Sequence, residues 1–370
     1  MNIKRLKLRN FRNYDHLDIS FGKNFNILSG NNGQGKTNIL EAIFMCAAAR
    51  SHRTSKDQDM VMLGKESFLI SLDFEREQID KNIEINFSKT EKKKVRINGI
   101  PLKKIGGLMG NLNAVAFSPE DLLIIKEGPS ERRRFVDITI SQLKPSYFYD
   151  LQQYNRTLTQ RNMLLKEIQN KRNLIDTLEI WNNNLATIGS RIIKTRYEFV
   201  KRLGKYAEEN HSRITDGAEK LAIRYAPSVQ IDENSSIEDI MLMFVRLLEK
   251  SMERELQKAS TLYGPQRDDY EIFLNGGSIK LYGSQGQQRS AVLSMKLSEI
   301  DLILEETGEY PVLLLDDVMS ELDGKRQLYL LKNLDGIQTF ITCTDSGFFK
   351  DLPGSSASYY SIVSGTAKKE

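Results

Sequence analysis

Hydrophobic and polar positions change rhythm along the chain. At the start, Ile3 to Leu8 and Leu17 to Phe21 alternate apolar with polar residues, which predicts two strands joined by a turn near Asn10–Asp15. Phe25-Asn26-Ile27-Leu28 is a short apolar run, followed by a glycine-rich turn and a helix-like stretch from Asn38 to Ala49. Residues 68–74 and 82–87 alternate again, and Asn98-Gly99 within Val95 to Ile100 predicts a type I′ hairpin. This first part of the chain reads as β-rich.

The middle reads as helix. Apolar residues at 174, 178, 181, 185, 188, 192 and 199, with Thr195 filling the gap, keep the alternating four-three spacing of a heptad seam. A second seam, Leu151, Tyr154, Leu158, Leu165 and Ile168, is interrupted by Arg161, and polar Gln169 to Asn173 separates the two. The pattern predicts an antiparallel helical hairpin with arms of about 20 residues, roughly 30 Å long. A further helix is expected from Ile237 to Ala259, opening at Ser235-Ser236 with Glu238 as the capping acid. After Gly264-Pro265, strands are expected at Tyr270 to Leu274 and Ile279 to Tyr282, around the turn Asn275-Gly276-Gly277. A helix from about Gln285 to Glu305, a buried strand Val312 to Leu315, a helix near Lys325–Asn333 and a strand Thr339 to Cys343 follow. The expected organisation is an α/β head built from residues 1–128 and 262–370, with a mostly helical domain, 129–261, inserted between them.

Composition narrows the class. The 370 residues are 40% hydrophobic and 28% charged, with 8 Pro, which excludes disorder and low complexity. The longest apolar runs, such as Ile43 to Ala49, fall far short of the ~18–20 residues of a membrane helix. Met1 to Arg5 leads at once into alternating residues rather than a signal peptide, so a cytoplasmic protein with no membrane partner is expected. Two cysteines, Cys46 and Cys343, and three scattered histidines build neither a disulfide frame nor a Cys/His metal site. Any metal must be held by oxygens.

The net charge of +4 is mild, but it is unevenly spread. Residues 1–12 hold five basic residues and no acid, 89–104 hold seven against Glu91 alone, and 151–213 hold twelve against six acidic. Lys92, Lys93, Lys94, Arg96, Lys103, Lys104, Arg156 and Arg161 are accordingly candidates for contact with phosphates of duplex DNA.

Three motifs carry chemistry. Gly30-Asn31-Asn32-Gly33-Gln34-Gly35-Lys36-Thr37, between a strand and a helix, matches G-x-x-x-x-G-K-[ST]. Glycines let such a loop wrap phosphates with its N–H groups turned inward, and the helix start beyond adds the positive end of its dipole. Lys36 would then reach the β- and γ-phosphates, and the Thr37 hydroxyl would take a position on Mg²⁺. Val312 to Leu315 runs into Asp316-Asp317, which places one carboxylate for Mg²⁺ and a second to orient an attacking water. Ser284-Gln285-Gly286-Gln287 opens a helix with Ser284 as its N-cap, a second anion-ready helix start. One nucleotide does not easily use two helix starts from the same molecule, so this turn is expected to act on a nucleotide bound by another copy.

The phosphate loop, the Ser284 to Gln287 turn, the Asp316-Asp317 strand end and Ser320-Glu321-Leu322-Asp323 resemble the P-loop, signature, Walker B and D-loop of ABC-type ATPases. Lys7-Leu8-Arg9-Asn10-Phe11-Arg12-Asn13-Tyr14 looks like the N-terminal element of their chromosome-maintenance and DNA-repair branch. Phe117-Ser118-Pro119-Glu120-Asp121-Leu122, Glu131 to Asp137 and Gly264-Pro265-Gln266-Arg267-Asp268-Asp269 narrow the resemblance to the RecF family. It implies an ABC-type head with a helical insertion carrying a short antiparallel coiled-coil hairpin, and Arg12, Asn13 and Asn38 as nucleotide contacts beside the P-loop. It also implies an ATP-dependent homodimer that closes on double-stranded DNA at gaps, slow DNA-stimulated hydrolysis of ATP to ADP and phosphate, and RecR and RecO as partners in loading the recombinase. Asp317 stands where such ATPases usually carry Glu, the transporter-type switch His is missing from Phe340 to Asp345, and Gln266 stands where a His is common. The alternatives are the ATPase subunit of a membrane transporter, which the missing His disfavours, and a DNA-tethering ATPase, which would need a far longer coiled coil.

Overall fold

The computed structural model describes residues 1–54, 56–332, 334, 336–345, 347 and 357–370. The chain divides into two compact units, Met1–Leu122 with Lys296–Glu370, and Leu123–Met295.

The first unit contains two six-stranded sheets. One is antiparallel, and in its strand Ser67–Arg76 the alternation places Phe68, Ile70, Leu72 and Phe74 inside. The Asn98-Gly99 turn closes its Lys94–Ile97 hairpin with both residues at positive φ, as a type I′ turn requires. The other sheet runs in the order Thr366–Lys369, Ser358–Val363, Phe25–Ser29, Thr339–Cys343, Val312–Asp316, Ala114–Phe117, and only its terminal hairpin is antiparallel. Its inner strands are continuously buried, because parallel strands are covered on both faces. The helix Lys36–Ala48 touches strands of both sheets, so it is apolar nearly all round rather than along one stripe.

The second unit holds the expected hairpin, Pro145–Ile168 and Leu178–Ile214, together with the helices Pro129–Leu143 and Ile237–Lys258. The arms are 24 and 37 residues long, and a 3-10 turn, Arg172–Thr177, occupies the bend. Several sequence expectations need correction here. Residues 262–295 pack within this unit rather than with the head, because Asp269–Leu274 pairs along its length with Leu221–Ala226, a strand inside the stretch expected to be helical. Ile279–Tyr282 is a single helical turn, not a strand, since pairing with Asp269–Leu274 stops at Gly277–Ser278. The capping acid of Ile237–Lys258 is Asp239, because Ser236 rather than Ser235 is the N-cap and the third residue beyond it makes the reciprocal bond.

Arg161, expected to face DNA, is fully buried. Its guanidinium donates to Glu255 Oε2 at 2.6 Å, Asn182 Oδ1 at 2.9 Å and Thr261 Oγ1 at 2.7 Å, which explains how a charge can interrupt an apolar seam. Arg132 grips Asp269 through two nitrogens at 2.7 and 2.9 Å. Asp268, fully buried, accepts from the Ser228 amide at 2.8 Å and from the Tyr225 hydroxyl, and lies 3.4 Å from Arg196. The Gly264 to Asp269 motif is thus a structural node of this unit. Among the described residues, no helix is long and apolar enough to cross a membrane.

Candidate functional site

The phosphate loop leaves the strand Phe25–Ser29 at Gly30 and enters the helix Lys36–Ala48 through Gly35. Gly30 has φ +150° and Gly35 φ +115°, and a side chain on either would collide, with the Ile362 carbonyl or with Asn13 and Tyr14 respectively. Asn31, Asn32 and Gly33 form the exposed crest of the loop. Lys36, only 8% exposed, turns its ammonium back into the loop and donates to the carbonyls of Gly30 at 2.5 Å and Asn31 at 3.0 Å. The first turn of the helix carries no acid, so nothing there offsets its positive end.

Strand register brings the second motif to this loop. Thr37 Oγ1 donates to Asp316 Oδ1 at 2.8 Å, and Thr342 Oγ1 donates to the same oxygen at 2.8 Å. Thr342 lies directly opposite Asp316 on the strand between Val312–Asp316 and Phe25–Ser29, and it also accepts the Asp317 amide at 2.9 Å. The neighbouring Asp317 is exposed and sits in the left-handed region, φ +53°. Thr342 stands on the strand that lacks the transporter-type His, and no motif in the sequence marks it. A hydroxyl at the carboxyl end of a buried parallel strand was the available signal.

A wall of polar contacts fixes the loop from outside. Asn13 Nδ2 donates to the Gln34 carbonyl and Asn13 Oδ1 accepts from Asn38 Nδ2, both at 2.8 Å, while Tyr14 donates to the Gly35 carbonyl. Gln34 Oε1 accepts the Ser364 amide at 2.7 Å, tying the loop to the turn after Ser358–Val363. Arg12, expected at the nucleotide, donates to both oxygens of Glu41, at 2.9 and 2.7 Å, and to the Asp59 carbonyl. Burial would raise the fully buried Glu41 carboxyl, but Arg12, Ser51 and Arg53 outweigh it and hold the carboxyl below its ordinary range. Arg12 therefore braces the helix behind the loop through three of its five N–H groups.

The remaining motif residues lie elsewhere in the chain. In the second unit, Ser284 and Gln287 form a reciprocal cap, with Ser284 N–H on Gln287 Oε1 at 2.8 Å and Gln287 N–H on Ser284 Oγ at 3.3 Å. Ser284 and Gln285 are exposed and Gly286 is half-buried. In the first unit, Ser320 lies in the turn Val318–Glu321 and donates to the Asp317 carbonyl at 2.7 Å. Leu322 is buried, and Asp323 accepts the Arg326 amide at the start of Gly324–Lys332.

Of the basic candidates, Lys92, Lys94, Arg96, Lys103, Lys104 and Arg156 are exposed. Lys94 and Arg96 carry surface ion pairs to Glu91 and Glu84. Lys93 is half-buried, pairing with Asp57 at 2.7 Å and donating to the Ala49 carbonyl, so like Arg161 it is not presented to a partner.

The chain matches the model of the RecF/RecN/SMC N-terminal domain over residues 2–365. It is 58% identical over 351 residues to the DNA replication and repair protein RecF of Acetivibrio thermocellus, covering 95% of each chain. The chain belongs to the RecF family. The RecF of Ruminiclostridium cellulolyticum is 52% identical over 366 residues, covering 99% of this chain and 98% of its own. A solved structure of the recombination mediator protein RecF-ATP in the RecFOR pathway superposes with a TM-score of 0.93 at 40% identity, covering 100% of this chain and 97% of the other. The Smc head domain of Pyrococcus furiosus, at 16% identity and a TM-score of 0.55, shares the fold alone. The fold is thus an α/β head of ABC type with a helical insertion, as the resemblance implied.

Proposed function

We propose that this RecF-family protein is an ATP-dependent DNA clamp of recombinational repair. The observation that carries the reading is the meeting of Lys36, Thr37, Asp316 and Thr342 at one loop. A basic group inside a glycine turn suits the β- and γ-phosphates of ATP, and the adjoining hydroxyl and carboxylate are hard oxygen donors of the kind magnesium takes. Thr37 and Asp316 would hold the ion, which when bound neutralises phosphate oxygens. Asp317 orients the water whose oxygen displaces ADP from the γ-phosphorus, and its side chain, one methylene shorter than Glu, makes that step slow.

The ATP held by one copy meets the Ser284 to Gln287 turn of a second, so the nucleotide is the adhesive of a homodimer. Lys92, Lys94, Arg96, Lys103, Lys104 and Arg156, doubled in the dimer, supply phosphate contacts to duplex DNA at a gap. RecR and RecO act with the clamped state in loading the recombinase, and hydrolysis resets it. The solved RecF-ATP relative of the RecFOR pathway supports this reading.

Contacts of this kind are independent of sequence and sensitive to salt. The log of duplex affinity should fall by about 0.9 per neutralised phosphate for each decade of salt. ATP should raise affinity by making binding bivalent without creating a new type of contact. A titration of duplex and single-stranded DNA against salt, with and without ATP, checks this. Unchanged affinity and slope with ATP, or tighter binding of single strands throughout, would rule the clamp out.

A further inference from the structure

In the second unit a run of side chains leads from the end of the long helix Leu178–Ile214 to the Ser284 turn. Gln287 Nε2 donates to Glu219 Oε1 at 2.9 Å, and Glu219 Oε2 lies 3.1 Å from His211 Nε2. His211 is fully buried, and its Nδ1 lies 3.0 Å from Ser294 Oγ. Gln287 and Ser294 are seven residues apart on Gln285–Thr307, hence on one face about 10 Å from each other. One His–Glu pair therefore holds that face at two points. Glu219 itself belongs to the short connection between Leu178–Ile214 and the strand Leu221–Ala226.

The chemistry fixes an orientation. A carboxylate only accepts, so the hydrogen between His211 and Glu219 sits on Nε2. The other carboxylate oxygen demands a donor from Gln287 and so selects which end of that amide faces it. The amide oxygen is then left toward the Ser284 N–H, where it is found. Turned the other way, the Gln287 amide would oppose N–H to N–H at Ser284 and undo the reciprocal cap.

We propose that Glu219, oriented by His211, is a positioning residue for the signature turn. It locks the Gln287 amide and thereby presents Ser284 to the terminal phosphate of a nucleotide carried by a second copy. This rests on the composite-site reading above.

The test compares Glu219→Ala, Glu219→Gln and Ser284→Arg in the full chain, measuring ATP binding by the monomer and ATP-dependent association by sedimentation. Glu219→Ala should leave monomer ATP binding unchanged and weaken association about tenfold, the scale of a lost hydrogen bond to a charged group. Glu219→Gln should restore association, because its carbonyl still accepts from Gln287 while its amide donates to the other tautomer of His211. A purely structural role would lower the unfolding midpoint of Glu219→Ala without separating ATP binding from association. Normal association of Glu219→Ala, or a Glu219→Gln defect equal to it, overturns the proposal. If Ser284→Arg also associates normally, the composite site itself is wrong. If Ser284→Arg fails to associate while Glu219→Ala succeeds, only the role of Glu219 is lost.

Discussion

Lys36→Ala is expected to abolish ATP-dependent association and hydrolysis. The Lys36 ammonium is nearly buried and held by two carbonyls of its own loop, so its charge is fixed within the glycine turn. Removing a preorganised group of this kind costs on the order of 10²–10³-fold in turnover, and here ATP binding itself should fall with it. Asp317→Asn removes a different function. The exposed carboxylate does not hold the loop, so ATP binding should survive and the dimer should accumulate because hydrolysis can no longer reset it. Equilibrium ATP binding, turnover and sedimentation on both variants separate the two roles. An equal loss of ATP binding in both would contradict the division.

The second large effect concerns stability. Arg161→Met should destabilise the protein by about 3–5 kcal/mol, because it strands the Glu255 carboxylate in the interior without its partner. The pair is fully buried on both sides, and Glu255 Oε1 additionally accepts the Leu262 amide at 2.7 Å. A second replacement, Glu255→Leu, should recover most of the loss, since a buried ion pair is often exchangeable for apolar packing. Urea unfolding of the single and double variants measures this directly. A loss of DNA affinity in Arg161→Met with unfolding unchanged would return Arg161 to the list of DNA contacts.

How far the molecule was legible in its sequence follows from how local each signal is. The phosphate loop, the Asp316-Asp317 strand end and the Ser284 cap are contiguous motifs flanked by the elements they need, and each was located from the sequence. Thr342 was not, because its importance arises only when the register sets it opposite Asp316. Glu41 and Ser364 were missed for the same reason, since one braces Arg12 from 29 residues away and the other meets Gln34 from 330 residues away. Arg161 reads as surface in the sequence because the partner that lets a basic residue sit on a buried seam, Glu255, lies 94 residues further on. Ile279 to Tyr282 failed differently, as four residues are too few for periodicity to separate a strand from a helical turn.

The central claim is that ATP joins two copies and that the joined state holds duplex DNA. Sedimentation velocity of the full chain, alone, with ATP and magnesium, and with duplex DNA added, tests it most directly. The expected result is a monomer without nucleotide, a dimer with ATP, and a larger dimer fraction when duplex is present. A chain that binds ATP yet sediments as a monomer at every concentration, with or without duplex, would contradict it.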